Sequence, residues 1–401
     1  MKWSKKEDCW KVPVKCWADN LEESAMIQAS NLAQLPCVFH HVALMPDSHC
    51  GFGMPIGGVI ALKNCICPNA VGVDIGCGMT ALKTDVHKEA LSDMEIRRKW
   101  HTLVKSSIPF GEGNSHKEEQ EWFGFDNFTV ENEPYSIQPI DRKNMSSCGG
   151  GNHFDELQYD EDGYVWIMIH SGSRNLGHRI ASHFHEVAKN LCNRFFVNLP
   201  DKDLAFLPVD DENGQKYINA MNFALDYAKE NRRRMMDTSL DCLVSVCSDI
   251  GVDCHVSWRY DIHHNYASLE KHFGENVWIH RKGATSAKNG EFGIIPGSMG
   301  TSSYIVNGLG NKESFMSCSH GAGRVMSRSD ASQKLTVAEC DKAMDGIVCD
   351  RWNKVRRGKS KGLYDLSEAP GAYKDIDTVI ANESDLVETI HKLKPLAVIK
   401  G

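Results

Sequence analysis

Six glycine-rich stretches constrain this chain more than any single helix or strand pattern: GFGMPIGG (51–58), VGVDIGCG (71–78), CGGGNH (148–153), HSGSRNLGH (170–178), IIPGSMG (294–300) and SHGAGR (319–324). Each carries or adjoins a polar side chain able to do chemistry. Glycine permits positive φ and close approach of backbone to a ligand. Reactive groups concentrate on such turns when a rigid scaffold presents them. Loops this far apart in the chain are expected to converge on one composite site.

Three helical faces are legible around them: Leu91, Met94, Trp100, Leu103 and Val104; Ile180, Phe184, Val187, Leu191 and Phe195; Ile218, Met221, Leu225 and Ala228. Short β-like runs cover 38–45, 58–62, 164–169 and 277–280. Helices and strands mix without a strict βαβ rhythm, so the expected class is α+β. The 401 residues can bury the core of one large domain or two ordinary ones. No apolar stretch is long enough to cross a bilayer, and the first residues, MKWSKKEDCWKVPV, lack the apolar core of a secretory signal. The expected compartment is the cytoplasm, where the 15 cysteines would be mostly reduced and buried. Cys65 and Cys67 are too close for a zinc knuckle.

The net charge of −8 argues against a protein coated in nucleic acid but leaves room for a local basic groove. Arg232, Arg233 and Arg234, and the stretch RWNKVRRGKSK (351–361), are the candidates, each against the simpler reading of a solvated face.

Asp74 and Cys77 stand three residues apart on a turn. They suit one metal or a bridged pair, though a capping aspartate and a core cysteine explain them more simply when taken alone. His153 follows a glycine turn, His170 ends a strand-like run, and His264 lies in DIHHNY. Together the five make a ligand set for Zn²⁺, Mn²⁺, Fe²⁺ or Co²⁺, and the thiolate by itself favours zinc. IIPGSMG can form a backbone nest for an anion around Pro296, Gly297 and Gly300, although a structural turn explains it as well. Neither a Walker A sequence nor a dinucleotide-binding GxGxxG unit is present. His320 can attack phosphorus directly, act as a general base or bind metal, with Arg324 placed to grip a phosphate.

In order, VGVDIGCGM, GGGNHF, HSGSRNLGH, IIPGSMG and SHGAGR resemble the motifs of RtcB-type RNA ligases, as do MPDSHCGFG, AYKDID (372–377), SDLVE (384–388) and the terminal VIKG. The resemblance runs from about Val12 to Gly401. It implies one compact ligase domain over 1–401, with central packed β-sheets surrounded by helices. It also implies GTP-dependent joining of RNA 3′-phosphate or 2′,3′-cyclic phosphate ends to 5′-hydroxyl ends through a histidine–GMP intermediate, in tRNA splicing or RNA repair. By the same resemblance His320 is the nucleophile, Asp47 matters for activity, and Asp74, Cys77, His153, His170 and His264 hold two Mn²⁺ ions. Asn152, Glu156, Pro296, Ser298, Ser303, Gly321, Arg324 and Lys400 match guanylate contacts, and an archease-like activator is an implied partner.

Two departures stand out. Phe52 occupies a position where some relatives have lysine, and residues 334–366 match poorly. The competing readings are a dinuclear metal-dependent phosphodiesterase, which needs neither GTP nor His320, and a non-catalytic RNA- or metal-binding module.

Overall fold

The computed structural model describes residues 1–356 and 358–401, so Arg357 of the basic stretch lies outside the described residues. Two large sheets dominate, and the class is α+β. The first is six-stranded, in the order Trp3–Lys5, Val14–Cys16, Val38–His49, Ile56–Leu62, Glu275–Lys282, Asn265–His272. The second is seven-stranded: Val256–His263, Gly78–His87, Tyr164–Ser171, Phe154–Tyr159, Val387–Lys400, Ser303–Gly308, Phe292–Ile295. Pairing in both is antiparallel apart from Val14–Cys16 against Val38–His49.

The three helical faces correspond to Met94–Ser107, Arg174–Arg194 and Glu212–Asp249. Two expected positions fall elsewhere. Leu91 belongs to a separate 3-10 turn, because Asp93 caps the helix by accepting the Glu95 N–H. Phe195 follows the helix end and is exposed. The 38-residue helix Glu212–Asp249 is buried on more than one side. Its Tyr217, Met221 and Ala224 pack with Ile180 and Phe184, while Met235, Leu243 and Val246 pack with Trp100 and the sheet residues Leu157, Val165 and Ile167. A further core joins the six-stranded sheet, through Val59, Ala61, Val277 and Ile279, to Ala284, Ile295, Phe315 and Cys318. All 15 cysteines are free thiols, and no described helix is long and apolar enough to cross a membrane.

Strand Val387–Lys400 is interior to its sheet although it contains Pro395 and four basic side chains, His391, Lys392, Lys394 and Lys400. The register shifts between Pro395 and Ala397, so the missing N–H falls at a bulge.

Beneath the second half of the first sheet lies a buried ion pair. Arg281 meets Glu270 at 2.5 and 3.2 Å and also donates to Ser317 Oγ at 2.9 Å and the Phe315 carbonyl at 3.1 Å. Burial raises the Glu270 carboxyl, but Arg281 outweighs it and holds the group far below the usual carboxylate range. Its contribution is therefore present above the ordinary carboxylate pKa and lost only as pH falls through the depressed value. Arg281→Met, which strands that carboxylate, should lower stability by about 3–5 kcal/mol in urea denaturation at neutral pH.

Candidate active site

Asp74 and Cys77 face the cleft because the turn between them is closed by the Cys77 N–H on the Asp74 carbonyl, at 3.1 Å. His153 immediately precedes strand Phe154–Tyr159, and His170 lies near the end of Tyr164–Ser171, paired with both Phe154 and Met79. His264 sits between Val256–His263 and Asn265–His272, its N–H on the Cys77 carbonyl at 2.8 Å. The five side chains come together. Cys77 Sγ is 3.3 Å from His153 Nε2 and 3.2 Å from His170 Nε2. His170 Nε2 is 3.3 Å from His264 Nε2, and His153 Nε2 is 3.2 Å from Asp74 Oδ2.

The chemistry of these donors fits a divalent cation. His153 Nδ1 is 2.9 Å from the Cys148 carbonyl and His170 Nδ1 is 3.1 Å from that of Asn152. A carbonyl only accepts, so both rings carry a proton on Nδ1 and turn Nε2 toward Cys77; in His170, which burial keeps neutral, that Nε2 is a bare lone pair. Lone pairs crowded in a buried space repel unless a cation lies among them. Burial, with neighbouring imidazoles, pushes His170 and His264 well below the usual histidine range, so both are neutral and able to ligate. Burial and the Asp74 charge push the Cys77 thiol well up, so ligation must displace its proton.

His320 stands beside this cluster, its ring 4.9 Å from that of His264. Asp47, 273 residues earlier, accepts from the His320 backbone N–H at 3.1 Å and lies 2.6 Å from Nδ1. Burial raises the Asp47 carboxyl, but His320 outweighs it and keeps the group below its usual range. An ionised Asp47 can only accept, so Nδ1 carries a proton and donates it, and Nε2 is the ring nitrogen that Asp47 does not engage. Lys374 braces the strand beneath, donating to the Pro46 and Ser48 carbonyls at 3.1 and 2.8 Å.

Asp74, Cys77, His153, His170, His264 and His320 line a cleft of about 600 Å³ that also takes in Asn152, Pro296, Gly321, Arg324 and Lys400, with Asp47 buried behind it. Glu156, Ser298 and Ser303 are buried and do not line it. Ser303 Oγ accepts the Gly297 N–H at 3.2 Å, and Ser298 is tied to Thr301, so both shape the 294–300 loop from behind. Burial pushes the Glu156 carboxyl up to about 7, against the lowering by Lys400. Arg324 reaches the cleft, but its guanidinium is held by Glu368 at 3.3 Å, the Tyr373 hydroxyl at 3.0 Å and the Ser367 carbonyl at 2.6 Å. A bidentate phosphate contact requires that hold to open.

Sequence reasoning missed Glu368, which gathers Arg324, Arg328 and Lys400 at 3.3 to 3.8 Å. Lys282 was missed as well. It lines the cleft, donates to the carbonyls of Asn69 and Phe52, and is lowered by burial to about 8. The only signal for it was the glycine that follows, at 283.

The arginine cluster at 232–234 departs from the expected surface. Arg232 is fully buried: it donates to the Gly76 and Ser171 carbonyls at 2.8 and 2.9 Å and pairs bidentately with Asp261. Arg233 and Arg234 are engaged by Glu230. Of the second cluster, Arg351 and Arg356 line a second cleft of mixed charge, with Lys105 and Lys400 beside Glu112, Asp350 and Asp365.

Beside Arg232, Asn231 accepts the Ser147 N–H at 3.0 Å and donates to the Ser147 and Gly172 carbonyls at 3.1 and 3.2 Å. The two residues thus fasten the loops that carry Asp74, Cys77, His153 and His170 to one helix. Asn231→Leu orphans several of these groups at about 1–3 kcal/mol each. Chemical denaturation should show a loss of at least about 3 kcal/mol on that scale.

An oriented imidazole set against a thiol–imidazole–carboxylate donor cluster is the machinery of an enzyme rather than a scaffold. The chain belongs to the RtcB family: the family model described as tRNA-splicing ligase RtcB matches residues 28–401. It is 39% identical to the RNA-splicing ligase RtcB of Escherichia coli (strain K12), over 97% of each chain. It is 32% identical to the tRNA-splicing ligase RtcB of Methanococcus maripaludis, over 98% of this chain and 96% of the relative. With the protein of the same name from Thermococcus kodakarensis the identity is 29%, over 98% and 95%.

Proposed function

We propose that this protein is a cytoplasmic RNA ligase that uses GTP and Mn²⁺ to join 3′-phosphate or 2′,3′-cyclic phosphate ends to 5′-hydroxyl ends, with residues 1–401 acting as one ligase domain. Family membership supports the RNA-ligase class. The observation that carries the chemistry is the Asp47–His320 pair, in which Asp47 engages Nδ1 and leaves the other ring nitrogen of a cleft-lining histidine unengaged by it.

In the proposed reaction, His320 Nε2 attacks the α-phosphorus of GTP. An N–P bond forms, the bond to the bridging oxygen breaks, and pyrophosphate leaves. As positive charge develops on the ring, Asp47 stabilises it through Nδ1. The GMP group then passes to an RNA 3′-phosphate oxygen, which restores the imidazole. A 5′-hydroxyl attacks the activated phosphorus and GMP leaves; a cyclic end is first opened by water. Asp74, Cys77, His153, His170 and His264 would hold the manganese, which when bound would neutralise phosphate charge and help to align the reacting atoms. Asn152, Pro296, Gly321, Arg324 and Lys400 contact the guanylate, supported from behind by Glu156, Ser298 and Ser303. Arg351 and Arg356 are the basic-stretch residues placed to contact RNA phosphates, and an archease-like protein would act as activator.

Incubating the purified protein with α-labelled GTP and Mn²⁺ tests this reading. The expected result is label on the denatured chain, stable to alkali and released by acid. His320→Ala should lose the label and keep its metal. A wild-type protein that is folded and metal-loaded but takes no label, with or without an activator, would remove the histidine–GMP step and favour the phosphodiesterase. By metal analysis, Cys77→Ala should lose both bound metal and label; normal occupancy would take Cys77 out of the ligand set.

A further inference from the structure

Strand Ser317–Ser319 runs straight into His320, and it pairs on one edge with Ala284–Ser286. Two consecutive amides at its end are held by side-chain carboxyls rather than by another strand. Asp47 takes the N–H of His320 at 3.1 Å, and Glu383, 64 residues further along the chain, takes the N–H of Ser319 at 2.9 Å. Glu383 is wholly buried at the end of helix Ile376–Asn382, where the Leu386 N–H on its carbonyl fixes its own backbone at 2.8 Å. Three polar atoms in this region have no partner among the described residues: Glu383 Oε1, Ser319 Oγ and Asp47 Oδ1.

Two ionised carboxylates on adjacent amides in a buried space oppose each other, and such a pair divides into one acid and one anion. Asp47 is the anion, since it faces the His320 imidazole and lies near Lys374. The groups that face Glu383 are Ser319 and Cys318 from the strand, Asp47 from the six-stranded sheet, and Asp385 just beyond its own helix. None of these is a cation. A proton on Glu383 supplies a donor where the three unpartnered atoms otherwise include a single hydroxyl.

We propose that Glu383 is a positioning residue for His320: as an uncharged carboxylic acid it takes the Ser319 N–H, fixing the strand end that aims the imidazole and leaving Asp47 as the anion against it. Burial pushes the Glu383 carboxyl up to about 8, the Ser319 N–H opposing and the Asp47 charge adding to it. Ionisation above that pH places a second negative charge beside Asp47. The proposal rests on His320 being the reacting group, and its test includes a reading that does not depend on GTP.

That reading is ¹⁵N-histidine NMR of the full-length protein loaded with Zn²⁺, with the Nδ1–H resonance of His320 assigned by its loss in His320→Ala. Glu383→Gln keeps an acceptor without the charge and should retain both that resonance and the wild-type guanylylation rate. Glu383→Leu, with its fold checked by circular dichroism, should shift or lose the resonance and slow guanylylation on the order of 10- to 100-fold. Above pH of about 8 the wild-type rate should fall while that of Glu383→Gln holds. A Leu variant like wild type in both readings, or a Gln variant as impaired as Leu, overturns the proposal. Should Leu fail to fold, the Gln profile decides: a bend matching wild type counts against Glu383, and its absence supports it. Absence of any guanylylation in wild type would instead count against the histidine–GMP reading, and the resonances would still judge Glu383.

Discussion

Asn231 and Arg232, neighbours on the longest helix, are the hinge on which the site's construction turns. Between them they hydrogen-bond backbone groups of residues 76, 147, 171 and 172, and so gather loops that the chain separates widely. The loops bend too sharply to satisfy their own carbonyls, and they lie too deep for water to do it. An unpaired buried carbonyl is costly, so the helix must bring donors to it. Arginine suits this place because its planar fork meets two carbonyls and a carboxylate at once. Asp261 balances the charge, and the arrangement stays rigid while its cationic head is fully enclosed.

Around that frame, one kind of group is given opposite states by its surroundings. Asp47 remains charged because His320 faces it, whereas Glu156 and Glu383 are pushed upward by burial. The histidines differ in their surroundings as well: His170 and His264 are kept neutral by burial among other imidazoles, while the His320 ring faces a carboxylate through Nδ1. Desolvation sets the scale of these effects, because a partner counts for more where water is excluded. The cleft therefore sets a cluster of potential metal donors beside a carboxylate-oriented imidazole, the rings of His264 and His320 lying 4.9 Å apart.

Much of the site was legible because glycine-rich turns reveal where backbone must come close to something. Asp74, Cys77, His153, His170 and His264 all lie on or beside such turns or strand ends, and the structure brings them together. What joins Asp47 to His320 was not legible from the residues alone, since 273 positions separate them and only the fold makes them neighbours. Arg232 misled for a related reason: an arginine in a charged run gives no sign that its helix is buried on that side too. Strand Val387–Lys400 escaped notice because its lysines and Pro395 break the alternation that marks a strand. Lys282 and Glu368 have no motif around them. Their importance comes from what lies across the cleft.

The close fit of loop to donor has a consequence for how such a protein can change. A methyl group placed on Gly172 would lie 2.4 Å from both carboxylate oxygens of Asp74, and one on Gly323, where φ is +74°, would lie 2.2 Å from the Asp47 carbonyl. At Gly172 the smallest step away from glycine turns the Asp74 carboxylate out of its place, and at Gly323 it meets backbone that has no way to yield. The first change moves a side chain of the cluster and the second moves the strand that carries Asp47. Drift at these turns is therefore read out at once in the cleft, so that the silent positions of this protein lie elsewhere.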